Sequence, residues 1–217
     1  MRPILSASGT YNYNLTKLLD ELLKPLAMSQ FAIADIAKFA EEKLSTRSVE
    51  DGNILVSYDV TTLFTNVPLE ETIQYILEKA FTNDWFNATY HVKMEKEDLR
   101  KLLLLATKNQ LFILDGQLYE QFDGVAMGSP LGPLMADVFM RSIKEWLVAE
   151  KHLPSFYWRY VDDAFTIMPS IDEANKFCAV LNNCHKSLRV TMEMGEKNAV
   201  PFCGITISIE NGRLCYN

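Results

Sequence analysis

The sequence predicts an α+β fold, a sheet with helices on one face. Strand-like and helix-like stretches are mixed without regular alternation. Two segments, 111–121 and 156–168, read as β-hairpins. A long amphipathic stripe follows Gly128-Ser129-Pro130 and supplies one backing helix.

The elements follow in order. Leu15, Leu18, Leu19, Leu22 and Leu23 recur at helical spacing, and Pro25 is expected to stop that helix. A second helix is expected around 30–44, with Phe31, Ala34, Phe39 and Ala40 inward. Asp51-Gly52-Asn53 reads as a turn, and Ile54 to Asp59 as a buried strand that ends in a carboxylate. Pro68 opens a helix with Ile73, Ile76, Leu77 and Ala80 on one face, and 97–108 is also helical. Asp115-Gly116 between two apolar runs marks a hairpin. The stripe after Pro130 comprises Leu131, Leu134, Met135, Val138, Phe139, Ile143, Trp146 and Leu147. Phe156 to Met168 is aromatic and β-branched with Asp162-Asp163 at its midpoint, which suits a hairpin with the two acids at its tip. Ser170 and Glu173 form a capping box for a helix over 171–186. Strands at 190–194, 202–209 and 214–216 close the chain.

The chain has 217 residues, 48% hydrophobic and 23% charged, which is room for one domain or a core with a smaller lobe and argues against general disorder. No apolar run reaches the ~18 residues of a membrane span, and Met1 to Ser6 holds too few apolar residues for a signal peptide. Four cysteines without Cys-x-x-Cys spacing give zinc little support and argue against a disulfide scaffold. The expected setting is reducing and intracellular, nuclear or cytoplasmic. The net charge of −7 lies wholly within residues 51–150, which carry 8 basic and 15 acidic residues. No segment is a basic arm, so a chain of this kind that handles nucleic acid needs metal ions to offset its carboxylates, or a basic surface elsewhere.

The carboxylates carry the chemistry. Adjacent Asp162 and Asp163 repel each other, so the pair is either a solvated turn or a cation site. A sheet that brings Asp59 beside them makes a hard-oxygen site suited to Mg²⁺. Two such ions about 3.5–4 Å apart activate a hydroxyl nucleophile and stabilise a leaving pyrophosphate.

Tyr160-Val161-Asp162-Asp163 resembles the active-site box of reverse transcriptases. The run from Tyr58-Asp59-Val60 through Phe64 to Pro68 is similar to their first catalytic box, and Gly124 to Leu131 to the box between. Arg2-Pro3-Ile4 resembles a fingers motif, and Pro201-Phe202-Cys203-Gly204 the primer grip. These five stretches occur in the family's order over almost the whole chain. The wording of the first and middle boxes is closest to Penelope-like retroelements, relatives of telomerase. Gly124-Val125 stands where many reverse transcriptases have Gln-Gly, a departure shared by the Penelope-like pattern.

The resemblance implies a right-hand polymerase palm, an antiparallel sheet backed by helices, with part of the fingers. Residues 1–53 and about 67–110 would be mainly fingers-like helices, and about 54–66 and 111–217 mainly palm. Asp59, Asp162 and Asp163 would be catalytic and hold two Mg²⁺ ions, with Mn²⁺ as a substitute and the Val60 carbonyl as a further ligand. Phe64, five residues after Asp59, would be the steric gate that excludes a 2′-hydroxyl; outside its box it would read as a core aromatic. Gly128, Ser129 and Pro130 would let the backbone approach the nascent pair, and they also suit an ordinary helix start. Arg2 would contact the triphosphate, or be a frayed terminal arginine. Lys197 would donate a proton to pyrophosphate, or be a solvated turn lysine. Phe202, Cys203 and Gly204 would form the primer grip.

The expected partners are an RNA template, a DNA primer and dNTPs, with no membrane. No helical thumb or endonuclease follows the primer-grip strands, so a fragment, a degraded copy or one piece of a polyprotein all fit. The expected function is RNA-directed DNA synthesis. Its rivals are a truncated remnant that folds without polymerising and another palm-type nucleotidyltransferase such as an RNA polymerase, which Phe64 disfavours.

Overall fold

A computed structural model describes residues 10–108, 110–114, 116–121, 124–195 and 199–217. In chain order the elements are α1 (Tyr13–Ala27), α2 (Ile36–Phe39, continued by a π turn over Ala40–Leu44), β1 (Ile54–Val60), α3 (Leu63–Asn66), α4 (Leu69–Phe81), α5 (Trp85–Tyr90), α6 (Lys96–Thr107), β2 (Gln110–Leu114), β3 (Gln117–Gln121), α7 (Leu131–Ala149), β4 (Tyr157–Tyr160), β5 (Asp163–Met168), α8 (Ile171–Cys184), β6 (Val190–Met194), β7 (Ala199–Phe202), β8 (Ile205–Glu210) and β9 (Arg213–Tyr216). They form two compact units, Met1–Met28 with Thr62–Ser142 and Ser29–Thr61 with Ile143–Asn217. Helix α7 contributes its first part to one unit and its last to the other. Among the described residues no helix is long and apolar enough to cross a membrane.

The first unit is helical, with the β2–β3 hairpin. Helices α1, α4 and α6 pack together, burying Leu19 and Leu23 of α1, Ile73, Ile76 and Leu77 of α4, and Leu99 and Leu103 of α6. Full burial of such side chains contributes about 1.5–3 kcal/mol each. Helix α1 runs two residues beyond Pro25, against the expected stop. A proline in the last turn removes only one intrahelical bond. The end is secured from outside, since Arg141 donates to the Leu26 carbonyl at 2.7 Å and the Tyr90 hydroxyl to that of Leu22 at 2.5 Å.

The second unit is built on an antiparallel sheet in the order β4-β5-β1-β6. One face of β1 presents Tyr58 to α8. The Tyr58 ring meets Phe177 edge-on at 5.4 Å, and its hydroxyl donates to the Ala174 carbonyl. The other face packs on a three-stranded sheet, β7-β8-β9. Leu55, Phe165 and Ile167 meet Val200, Phe202, Ile207 and Leu214 there, with Phe39 and Leu44 beside them. Both faces of the central strands are thus covered, which explains their near-continuous apolar runs.

The segment around 30–44 is not one helix. Residues 31–33 run along the edge of β4, where Arg159 exchanges backbone hydrogen bonds with Phe31 and Ile33. Helix α2 begins only after Asp35, whose carboxylate accepts from the Lys38 amide at 2.8 Å. Ala34 is consequently exposed. Trp146 also leaves the expected stripe of α7; it is 39% exposed and lies against His152. Ser170 caps α8 through the Glu173 amide, while the Glu173 carboxylate pairs with Lys176. The run 202–209 is broken by a turn at Cys203-Gly204, so β8 starts at Ile205. Asp115 of the expected hairpin turn lies outside the described residues, but β2 and β3 pair across it as expected.

Candidate active site

Strand register brings two carboxylates together in the second unit, and a third lies in the adjoining turn. Asp59 and Asp163 are direct cross-strand partners on β1 and β5. Side chains at paired positions share a face about 4.5–5.5 Å apart at Cβ, so two like charges are held side by side, Asp59 exposed and Asp163 half-buried. Asp162 lies in the two-residue turn between β4 and β5, because Tyr160 pairs with Asp163. The tip of that hairpin is therefore Val161-Asp162, and Asp163 is the first residue of β5.

The turn is held in an uncommon conformation. Val161 has φ +52°, an outlier for a β-branched residue, whereas Asp162 does not share it. A positive φ at the first central position alone is the pattern of a type II′ turn, normally filled by glycine. Two bonds hold it there. The buried Arg159 guanidinium donates to the Val161 carbonyl, and the Val60 amide donates to the Asp162 carbonyl at 2.9 Å. Strain of about 1–3 kcal/mol at such a position needs surroundings that enforce it.

Electrostatics follow from this packing. Burial raises the pKa of Asp163 above its usual 3.8, and the charges of Asp162 and then Asp59 push the same way. The Cys203 thiol opposes them, donating to Asp163 Oδ2 at 3.6 Å. Burial and the neighbouring Asp163 in turn push the thiol up to about 12. Asp59 and Asp163 line an open cleft of about 630 Å³ with Ser57, Thr191, Glu193 and the 201–206 hairpin. Glu193 is a fourth acid on the same face, opposite Ser57. It was missed in the sequence, where nothing local marks its pairing with β1.

Among the described residues no three His, Cys, Asp or Glu side chains converge tightly enough to form a metal cage. That does not conflict with Mg²⁺, which keeps several waters and is commonly held by one or two carboxylates plus substrate phosphates. The paired, half-buried Asp163 and the adjoining Asp59 and Asp162 supply hard, charged oxygens that repel one another without a cation. The donor set fits a divalent ion.

The remaining expected residues fall as follows. Phe202 is a core side chain, 3% exposed, between Phe39 and Phe165. Cys203 and Gly204 form the tip of the β7–β8 hairpin, with φ of +48° and +85° and Phe202 paired to Ile205, a type I′ turn. Phe64 lies in the first unit, half-buried on α3. Its carbonyl accepts from the Val125 amide at 2.7 Å. Gly124 makes that approach feasible: at φ +72°, a Cβ there would sit 2.5 Å from the Phe64 and Thr65 backbone. The middle box thus clamps the Phe64 segment, a role the Gly-Val wording did not announce. Gly128 has φ +110°, Ser129 is buried, and Pro130 directly precedes α7. Arg2 and Lys197 lie outside the described residues.

Residues 1–197 match the family model described as reverse transcriptase (RNA-dependent DNA polymerase). The chain belongs to the reverse transcriptase family. No curated protein sequence matches it. Among solved structures it is similar to telomerase from Candida albicans in complex with a fragment of telomeric RNA, with a TM-score of 0.67 and 12% identity over 94% of this chain and 39% of that one. Apo telomerase from Candida tropicalis, truncated from its C-terminal domain, gives 0.61 and 15% over 94% of this chain and 45% of that one. The BmCPV RNA-dependent RNA polymerase at its elongation state gives 0.55 and 10%, covering 92% of this chain and 20% of that one. At these identities the likeness shows the fold, a polymerase palm-and-fingers architecture. The chain spans less than half the length of these telomerases.

Proposed function

We propose that this reverse transcriptase domain is an RNA-directed DNA polymerase of a retroelement of Penelope-like type, which adds dNTPs to a primer 3′ end on an RNA template. The observation that carries the reading is the register of Asp59 against Asp163, with Asp162 in the adjoining turn. The subtype rests on the wording of the Tyr58–Pro68 and Gly124–Leu131 boxes. We assign the palm mainly to about 54–66 and 111–217 and the fingers mainly to 1–53 and about 67–110.

Two divalent ions, Mg²⁺ or Mn²⁺, supply activation of the 3′-hydroxyl and charge stabilisation of the leaving pyrophosphate when bound. The chain's residues do the rest. Asp59 and Asp163 present oxygens from neighbouring strands, so strand pairing rather than side-chain flexibility sets their separation. Asp162 adds a third from a turn pinned by Arg159 and Val60, and the Val60 carbonyl is a further ligand. Phe64 packs under the incoming sugar and excludes a 2′-hydroxyl. Gly128, Ser129 and Pro130 let the backbone approach the new pair, and the Cys203-Gly204 turn supports the primer. Arg2 contacts the triphosphate and Lys197 protonates pyrophosphate. Base pairing with the template selects the nucleotide, so no base-specific contact is needed.

The alternative reading is a remnant that folds without polymerising. Primer extension on an RNA template separates the two. The polymerase reading expects dNTP incorporation with Mg²⁺ or Mn²⁺ that Asp162→Asn abolishes. A folded chain that extends nothing, or extends equally well as Asp162→Asn, overturns it.

A further inference from the structure

We propose that Cys203 is a positioning residue for Asp163, its thiol holding one carboxylate oxygen so that the other is presented to a cation. The inference rests on the reading of Asp163 as a metal ligand. Its ground is the construction of the β7–β8 hairpin. Phe202 is locked into the core against Phe165 at 5.6 Å between ring centres. Phe165 lies two residues from Asp163 on the same face of β5, since Leu55, Phe165 and Phe202 share one cluster and Asp59 and Asp163 continue that face. The next residue after Phe202 enters a two-residue turn with positive φ at both positions. Anchor and turn together aim the Cys203 thiol at Asp163 Oδ2, 3.6 Å away. Gly204 has no atom within 4 Å of where a Cβ would stand, so its absent side chain serves the turn and not packing.

Asp163 needs such a partner. It is half-buried beside two other carboxylates, and like-charge repulsion turns an unheld carboxylate away from its neighbours. A hydrogen bond to one oxygen fixes the rotation and leaves the second oxygen toward the cleft that Asp59, Asp163 and Cys203 line together. Partners of metal ligands that act in this way typically change metal affinity or activity by about 10–100-fold when removed.

The test is Mn²⁺ binding to the full chain without nucleic acid or nucleotide, read from the free-ion signal in electron paramagnetic resonance. Cys203→Ala removes the donor; Cys203→Gly removes it while suiting the left-handed turn, which separates loss of the bond from turn strain. Cys203→Ser keeps a donor. The expected result is Mn²⁺ affinity lowered about tenfold in the Ala and Gly variants and restored in the Ser variant. Affinity unchanged in Ala and Gly, or lowered equally in Ser, overturns the proposal. Asp163→Asn distinguishes the two levels: weakened binding there with unaltered Cys203 variants leaves the metal assignment standing without the positioning role. Unaltered binding in Asp163→Asn overturns both.

Discussion

Gly124→Ala tests whether the middle box clamps the Phe64 segment. The added Cβ would lie 2.5 Å from three backbone atoms of Phe64 and Thr65, and ordinary contact begins near 3.4 Å. The two segments must therefore separate by close to 1 Å. That breaks the 2.7 Å bond from the buried Val125 amide to the Phe64 carbonyl. Leaving such a group unsatisfied costs about 1–3 kcal/mol, and an L-residue in the left-handed region adds about 1–2 kcal/mol. The expected loss is about 2–5 kcal/mol, or a Tm lower by about 5–15 °C for a chain of this size. Gly116→Ala is the control. Gly116 has φ +76° but nothing within 4 Å, so it should lose only the backbone contribution of about 1–2 kcal/mol. Thermal and urea denaturation of both variants read the difference. Equal losses in the two would refute the clamp.

Three further outcomes are expected. Asp163 has a raised pKa, so in metal-free protein it contributes stability that is fully present below pH 3.8 and lost as pH rises through its elevated value. Asp163→Asn should accordingly resist urea better than wild type at pH 7 in chelator, with the advantage shrinking toward pH 4; a pH-independent difference would show that neither burial nor the neighbouring carboxylates raise the Asp163 pKa. Val161→Gly removes the penalty of a β-branched residue at φ +52° and should stabilise the fold by about 0.5–1 kcal/mol after the extra chain entropy of glycine, whereas a loss above about 1 kcal/mol would mean that the turn is not strained. Phe64→Ala should raise ribonucleotide incorporation relative to dNTP incorporation, and unchanged selectivity would remove the gate role.

Much of the architecture was legible in the residues, for local reasons. Strand β1, the β4–β5 hairpin and helix α7 each carry one period, a strong end signal or both, such as Pro130 before α7. The antiparallel palm and the family followed from five ordered boxes. What escaped was non-local or masked by composition. Phe31, Ala34, Phe39 and Ala40 mimic helical spacing, yet 31–33 pairs with β4; Asp35, three residues before the amide it caps, was the available signal. Pro25 signals a stop, but in the final turn it removes only one intrahelical bond, and α1 runs on to Ala27. The apolar run 202–209 hid a turn that Gly204 alone announced. The face-to-face register of Asp59 with Asp163, the arrival of Glu193 beside them and the contact of Gly124 with Phe64 depend on which strands and loops meet, and no local pattern encodes that.

The central claim, that paired strands hold Asp59 and Asp163 as a polymerase metal centre, is tested most directly by single-turnover addition of one dNTP to a DNA primer preassembled on an RNA template. Asp59→Asn keeps size and shape and removes only the charge. The account predicts that it lowers the rate at least about a hundredfold, the scale on which such electrostatic groups act, with primer–template affinity intact. A rate within a few-fold of wild type would contradict it.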